Sequence, residues 1–343
     1  MIGPRRLGLT AMLVLAALAR PAALAIAETA AEFYGGKTIT IVVPFGAGGT
    51  SQDYALLMSR NLGRLIPGHP TVILQSMPGA GGLRATLYAY NLAPKDGTTI
   101  LLPPDSIAVS QLITPDEAKY DTTKFSWLGT AAQTRSVLAV RSDRGVRTVD
   151  DLRRIEVFVG SSGSGSQTDM YPALTDALLG TRLKVVKGYE GSGTSTLAVE
   201  SGELHGTVNT WGYWQRRPEL FTSGLLIPIL TYGLGRQPEL PDVPNFIEFV
   251  DSEEGRQMVK FFTSFGPIGR GLALPPGVPA DRAAALKRAF AQLVTDQAFL
   301  DQARAAGLSI DPVSGDEIDR LVAEVVATPP AVVARVQALL YGK

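Results

Sequence analysis

Short β-branched runs, glycine-rich turns and amphipathic stretches follow one another along this chain. Thr38 to Val43 is a β-branched and aliphatic run, and "GAGGTS" follows it. Ala55, Met58, Leu62, Leu65 and Ile66 then fall on one helical face, the spacing of a helix packed on a sheet. Thr50 and Asp53 are spaced as helix-capping residues. Val72 to Leu74 is a second short strand, "MPGAGG" its turn, and Leu83, Leu87 and Tyr90 begin the next helix face. Thr98 to Leu102 forms a third strand ending at "PPDS". Ile155 to Val159 leads into "GSSGSGSQ" and an Ala/Leu-rich helix near Ala173 to Leu179. Leu183 to Val186 leads into "GYEGSGTS" and another short helix. This repetition predicts an α/β fold with mostly parallel sheets flanked by helices.

The glycine-rich turns all stand at the C-terminal ends of strands, the edge of an open α/β sheet where ligands bind. Glycine lets the backbone approach a ligand closely. The helix that follows points its free N–H groups and positive dipole end at the same place. The turns fall into two groups, 44–51, 78–83 and 103–106 in the first and 160–167 and 188–195 in the second, which predicts two lobes facing one crevice. "WLGTAAQTRSVLAVRSD" (127–143) reads as a strand crossing between them, Thr148 as a helix cap, and "LLIPILTYG" (225–233) as a return strand. From Pro279 onwards the chain reads as helical, with Ser314 as a cap, and this tail is expected to return to the first lobe. The expected organisation is residues 1–27 as a leader, 28–134 and 233–343 as lobe 1, and 135–232 as lobe 2.

The leader changes the picture of where the protein works. Arg5 and Arg6 precede an apolar stretch from Leu7 to Ala19, too short to span a bilayer comfortably. "PAALAIAE" then offers small-x-small cleavage sites after Ala25 or Ala27, the pattern of a secretory signal peptide. The 32 basic and 32 acidic side chains balance. Losing Arg5, Arg6 and Arg20 would leave the mature chain mildly acidic. No basic field exists to recruit nucleic acid. There is no cysteine, hence no thiolate nucleophile, no Cys-based metal site and no attachment point for a lipid anchor. An exported, soluble, monomeric protein of a bacterial periplasm is expected.

Catalytic chemistry is sparse. His69 lies in the turn "PGHP" and His205 between a helix and a strand, and the two do not form a ligand-spaced pair. No G-x-S-x-G occurs, because Ser164 stands where the closing glycine would be in "GSSGSGS". "GAGGTS" lacks the P-loop lysine, and both "GAGGTS" and "GAGGLR" lack the last glycine of a dinucleotide fingerprint. No cofactor and no metal are expected.

In order along the chain, "GKTITIVVPFGAGGTSQDYALLMSRNL", "PTVILQSMPGAGGLRA", "APKDGTTILL", "VFVGSSGSGS" and "PELPDVPNF" resemble the substrate-binding proteins of tripartite tricarboxylate transporters, the Bug family. The resemblance implies a two-lobed periplasmic binding protein of type II, a Venus flytrap that catalyses nothing. It implies capture of a small organic acid between the lobes and its delivery to integral-membrane permease subunits. The loops that hold a carboxylate in that family correspond here to Ala47, Gly48, Gly49, Thr50 and Ser51, and to Gly79, Ala80, Gly81 and Gly82. Ser106 would lie at the same rim, and Ser161, Ser162, Ser166 and Gln167 match the loop that closes from the second lobe. Where many members carry Asp-Asn, this chain has "HGTVNTWGYWQRR", which offers Asn209 and Trp211 as ligand contacts beside Tyr213 and Trp214. The rings could stack on a flat ligand or pack in the lobe core. "TSQDYA" sets Asp53 one residue beyond the family's usual aspartate. Arg84 and Arg135 are possible charge partners for a ligand's far end, or surface residues. Two other readings stay open: a secreted α/β hydrolase using a serine of a Ser-Gly loop with His205 or His69 as base, and a ligand sensor of the same fold.

Overall fold

The computed structural model describes residues 28–342, so the leader lies outside the described residues. Eleven strands form two sheets. They are β1 (Thr38–Val43), β2 (Thr71–Ser76), β3 (Thr99–Leu101), β4 (Ser126–Thr130), β5 (Ser136–Arg141), β6 (Val157–Ser161), β7 (Leu183–Lys187), β8 (Gly206–Thr210), β9 (Leu226–Tyr232), β10 (Gly271–Leu274) and β11 (Val313–Ser314). The first sheet has the order β11-β4-β10-β3-β1-β2 and the second β7-β6-β8-β5-β9.

Each sheet is mixed rather than mostly parallel. Strands that end at the cleft pair in parallel, β1 with β2 and β3, and β6 with β7 and β8. Strands at the passage between sheets run antiparallel to their neighbours: β4 and β10 in the first, β5 and β9 in the second. A strand entering from the other lobe has no crossover helix to reverse its direction, so it lies antiparallel. The expected single crossing strand over 127–143 is therefore two strands, β4 and β5, broken at 131–135. The chain passes to the second sheet there and back between β9 and β10.

Ile39, Ile41, Val43, Tyr54, Met58 and Leu62 are buried with Leu286, Phe290 and Phe299 in one core, so helices Ala280–Leu293 and Gln297–Ala305 cover the first sheet. The final helix, Pro330–Tyr341, behaves differently from the rest of the tail. It packs on helix Gln167–Leu179, which covers the second sheet, and on helix Ile107–Ile113. Gln337 donates from Nε2 to the carbonyls of Leu112 and Ile113, both at 3.2 Å. Among the described residues no single helix is long and apolar enough to cross a membrane; one bent pair, Gly315–Val326 with Pro330–Tyr341, passes by length and composition together.

Local signals hold at two of the expected caps. Ser314 accepts from the Glu317 N–H. Thr148 forms a capping box with Asp151, whose carboxylate accepts from the Thr148 and Arg147 N–H groups and pairs with Arg154. The Thr148 hydroxyl and these bonds hold the Asp151 pKa down at about 2, from the usual 3.8. A depressed carboxylate stabilises the fold above its unfolded pKa and loses that effect as pH falls through its folded value. Asp151→Asn is expected to lower the melting temperature at pH 7, with the gap to wild type closing between about pH 4 and pH 2. A gap constant over that range in scanning calorimetry would refute the cap's role.

Candidate ligand-binding site

The glycine turns of the two lobes meet. The Gly81 N–H donates to the Ser162 carbonyl and the Gly46 N–H to the Glu190 carbonyl, each at 2.9 Å. Ser106 and Ser110 donate from their hydroxyls to the Gly165 carbonyl at 2.8 and 2.6 Å. Thr50 and Thr210 pair through their hydroxyls at 3.3 Å, and Arg216 donates to Asp53 at 2.7 Å. Thr50 is thus not the helix cap its spacing suggested. Gly49 occupies that position, without a side-chain cap, and the Thr50 hydroxyl reaches across the cleft instead.

Glycine is what allows so close an approach. A Cβ on Gly81, whose φ is 64°, would stand 2.8 Å from the Ser164 carbonyl oxygen. One on Gly163 would stand 2.8 Å from the Gly81 nitrogen, and one on Gly193 2.9 Å from the Ala47 carbonyl oxygen. Contacts that short between a Cβ and backbone atoms force a shift. The turns serve lobe-to-lobe contact as well as any ligand.

Between them lies a partly open chamber of about 50 Å³. Gly49, Ser51, Gly81, Ser106, Ser162, Ser166, Gln167 and Asn209 line it, all of them expected site residues. Ala47, Gly48, Gly79 and Ala80 lie on the exposed outer side of their turns, and Gly82 packs against Pro44 and Pro104 within its own lobe. Ser161 shapes the loop, accepting from the Gly163 N–H at 3.1 Å. Trp211 does not reach this chamber. It lines a neighbouring one of about 90 Å³, also between the lobes and bordered by Thr50, Tyr54 and Arg270, because β8 ends at Thr210 and a short helix begins at Trp211. Tyr213 and Trp214 are buried in the second lobe's core, with Trp214 donating to the Val137 carbonyl at 3.4 Å. Arg84 is exposed, and Arg135 pairs with Glu239 at 3.1 Å.

Sequence reasoning missed the two charges in the chamber. Arg270 and Asp105 line it, both nearly fully buried, with Arg270 Nη1 3.6 Å from Asp105 Oδ2. Burial pushes the Asp105 carboxyl up, against the pull of Arg270. Asp105 lies beside Ser106 in the first lobe's third turn, "PPDS", which holds no glycine. Arg270 had only a faint signal, one arginine between two glycines at the head of the apolar run "GLAL". Its place in the cleft follows from β10 inserting antiparallel between β3 and β4, a long-range pairing that local pattern does not encode.

Neither histidine lines the chamber. His69 is on an exposed turn, and His205 stacks edge-on against Phe158 at 5.0 Å and accepts from the Phe158 N–H. The base that a serine hydrolase needs is not at the Ser-Gly loop. Among the described residues no cluster of acidic or histidine side chains could hold a metal ion.

No family model matches the chain. Two curated relatives do: a UPF0065 protein of Agrobacterium vitis, 28% identical over 51% of this chain and 51% of its own length, and one of Pseudomonas sp. (strain P51), 26% identical over 62% and 63%. The chain thus spans between half and two thirds of the length of the curated relatives it matches. Among solved structures, the periplasmic binding protein BugD superposes with a TM-score of 0.71 at 18% identity, covering 89% of this chain and 98% of that one. An R. palustris protein with adipate gives 0.69 at 21% identity, covering 88% and 97%. MatC from Rhodopseudomonas palustris, with bound malate, gives 0.68 at 20% identity, covering 87% and 99%. The resemblance carried by the ordered motifs is borne out in the fold, which this chain shares with the periplasmic binding protein BugD and with MatC.

Proposed function

We propose that this protein is an exported solute-binding protein that captures a small carboxylate-bearing acid between its lobes and hands it to a membrane permease of the tripartite type, without turnover. The observation that carries the reading is the chamber itself. It lies at the C-terminal ends of the parallel strands, between glycine turns of both lobes, and hydroxyls, amides and one buried guanidinium line it. The guanidinium suits an anion, since charge-assisted hydrogen bonds to a carboxylate are short and strong. Closure follows because only the closed state lets both lobes touch the ligand. The adipate and malate held by two proteins of the same fold agree with a carboxylate here.

A thermal-shift screen of the chain from Glu28 onwards against a panel of organic acids tests this. A ligand that binds only the folded state raises the melting temperature by mass action, by roughly 5 °C at one hundred times its Kd for a chain of this size. A rise with one class of acid is expected. No rise with any carboxylate, in protein freed of carried-over ligand by unfolding and refolding, would refute the reading.

A further inference from the structure

The chamber holds one strong cluster of hydrogen-bond donors, the Arg270 guanidinium, and several acceptors. Arg270 has five N–H donors, and among the described residues its side chain makes no hydrogen bond; its ionic partner is Asp105 at 3.6 Å. The guanidinium borders both the chamber between the turns and the neighbouring one that Trp211 lines. A buried fork of donors with no acceptor matches the two oxygens of a carboxylate.

Several wall groups beside it present acceptors. The Ser106 and Ser166 hydroxyl protons are committed to the Gly165 and Gly163 carbonyls, at 2.8 and 2.7 Å. Asn209 gives one Nδ2 hydrogen to the Thr196 hydroxyl at 3.1 Å and leaves its Oδ1 free. Each keeps an oxygen that can accept. Asp105 adds an acidic acceptor, and only Phe45 and Val208 contribute apolar side chains. Such walls repel a second carboxylate and waste an unsubstituted hydrocarbon tail.

We propose that Arg270 seats the ligand's carboxylate, and that the ligand is a short acid carrying a hydrogen-bond donor, a hydroxyl or an ammonium group, close to that carboxylate. This rests on the carboxylate reading above and goes further by naming the residue and the second group.

The test is isothermal titration of propionate, lactate and alanine, and of succinate, malate and aspartate, into the wild type and three variants. Wild type is expected to bind at least one donor-bearing acid about 10-fold or more tighter than its unsubstituted partner. Arg270→Gln should weaken that acid by about 100-fold, and Arg270→Lys, which keeps the charge and loses the fork, by about 10-fold. The double variant R270Q/D105N leaves no uncompensated charge, so its unliganded melting temperature shows that loss of binding is not loss of fold. It should bind as weakly as Arg270→Gln. Lactate and malate against alanine and aspartate separate hydroxyl from ammonium. Wild-type affinity in both glutamine variants, a preference for propionate or succinate, or binding of other carboxylates alone would overturn this inference and leave the carboxylate reading standing. Binding of no carboxylate by the wild type would overturn that reading too.

Discussion

Replacing Gly193 with alanine is expected to weaken ligand binding by about 5- to 150-fold while leaving the unliganded melting temperature unchanged or slightly raised. Gly193 is the second residue of helix Ser192–Ser201. It needs no left-handed backbone, so alanine costs nothing locally and favours the helix by up to about 1 kcal/mol. In the closed protein, however, the new Cβ would stand 2.9 Å from the Ala47 carbonyl oxygen and 3.1 Å from the Gly48 carbonyl carbon and oxygen. These are backbone atoms of the other lobe and cannot rotate away. Overpacking of this kind costs about 1–3 kcal/mol, and here it falls on the closed state alone. A ligand that binds the closed state pays that difference in affinity. The two readouts, melting temperature without ligand and Kd by titration, must move apart. If affinity is unchanged, closure between these turns is not part of binding. Gly81→Ala would test the same idea less cleanly, since its φ of 64° adds local strain to the clash.

The second large effect concerns stability. Trp214→Ala is expected to destabilise the protein by about 3–5 kcal/mol, the cost of emptying a large aromatic site in a packed core. Trp214 is fully buried, lies edge-on against Tyr213 and Phe221 at 5.3 and 5.6 Å, and donates to the Val137 carbonyl of β5. Trp211, three residues earlier, is half-buried, and its nearest aromatic partner is Phe221 at 6.3 Å. Trp211→Ala should cost well under half as much in urea unfolding. Equal losses at the two positions would mean that the core ends elsewhere.

That contrast shows where the sequence was legible. β1, β2, β6 and β7 and the helices after them follow from β-branched runs and helical spacing, signals that live within ten or fifteen residues. The glycine turns were legible because several of them recur at strand ends along the chain. What they do was only half legible. Their residues were expected to contact a ligand; several also contact the opposite lobe, as the Gly81 and Ser162 bond does. Whether Trp211 or Trp214 faced the cleft depended on the helical turn after Thr210, and a cluster of three rings in four residues reads the same either way. Arg270 was invisible for a different reason. Asp105 and Thr210, which line the same chambers, lie 165 and 60 positions away along the chain, and sheet order, not local pattern, brings them together.

The central claim is that an acid is held where the two lobes meet. Amide hydrogen exchange of the chain from Glu28, with and without a saturating acid found by thermal shift, reads that most directly. The Gly46 and Gly81 N–H groups are bonded to the opposite lobe, so their exchange requires the cleft to open. The account predicts that ligand slows exchange at both amides together, by a factor that rises with ligand concentration over Kd. Protection confined to one lobe, or to the face opposite the glycine turns, would contradict it.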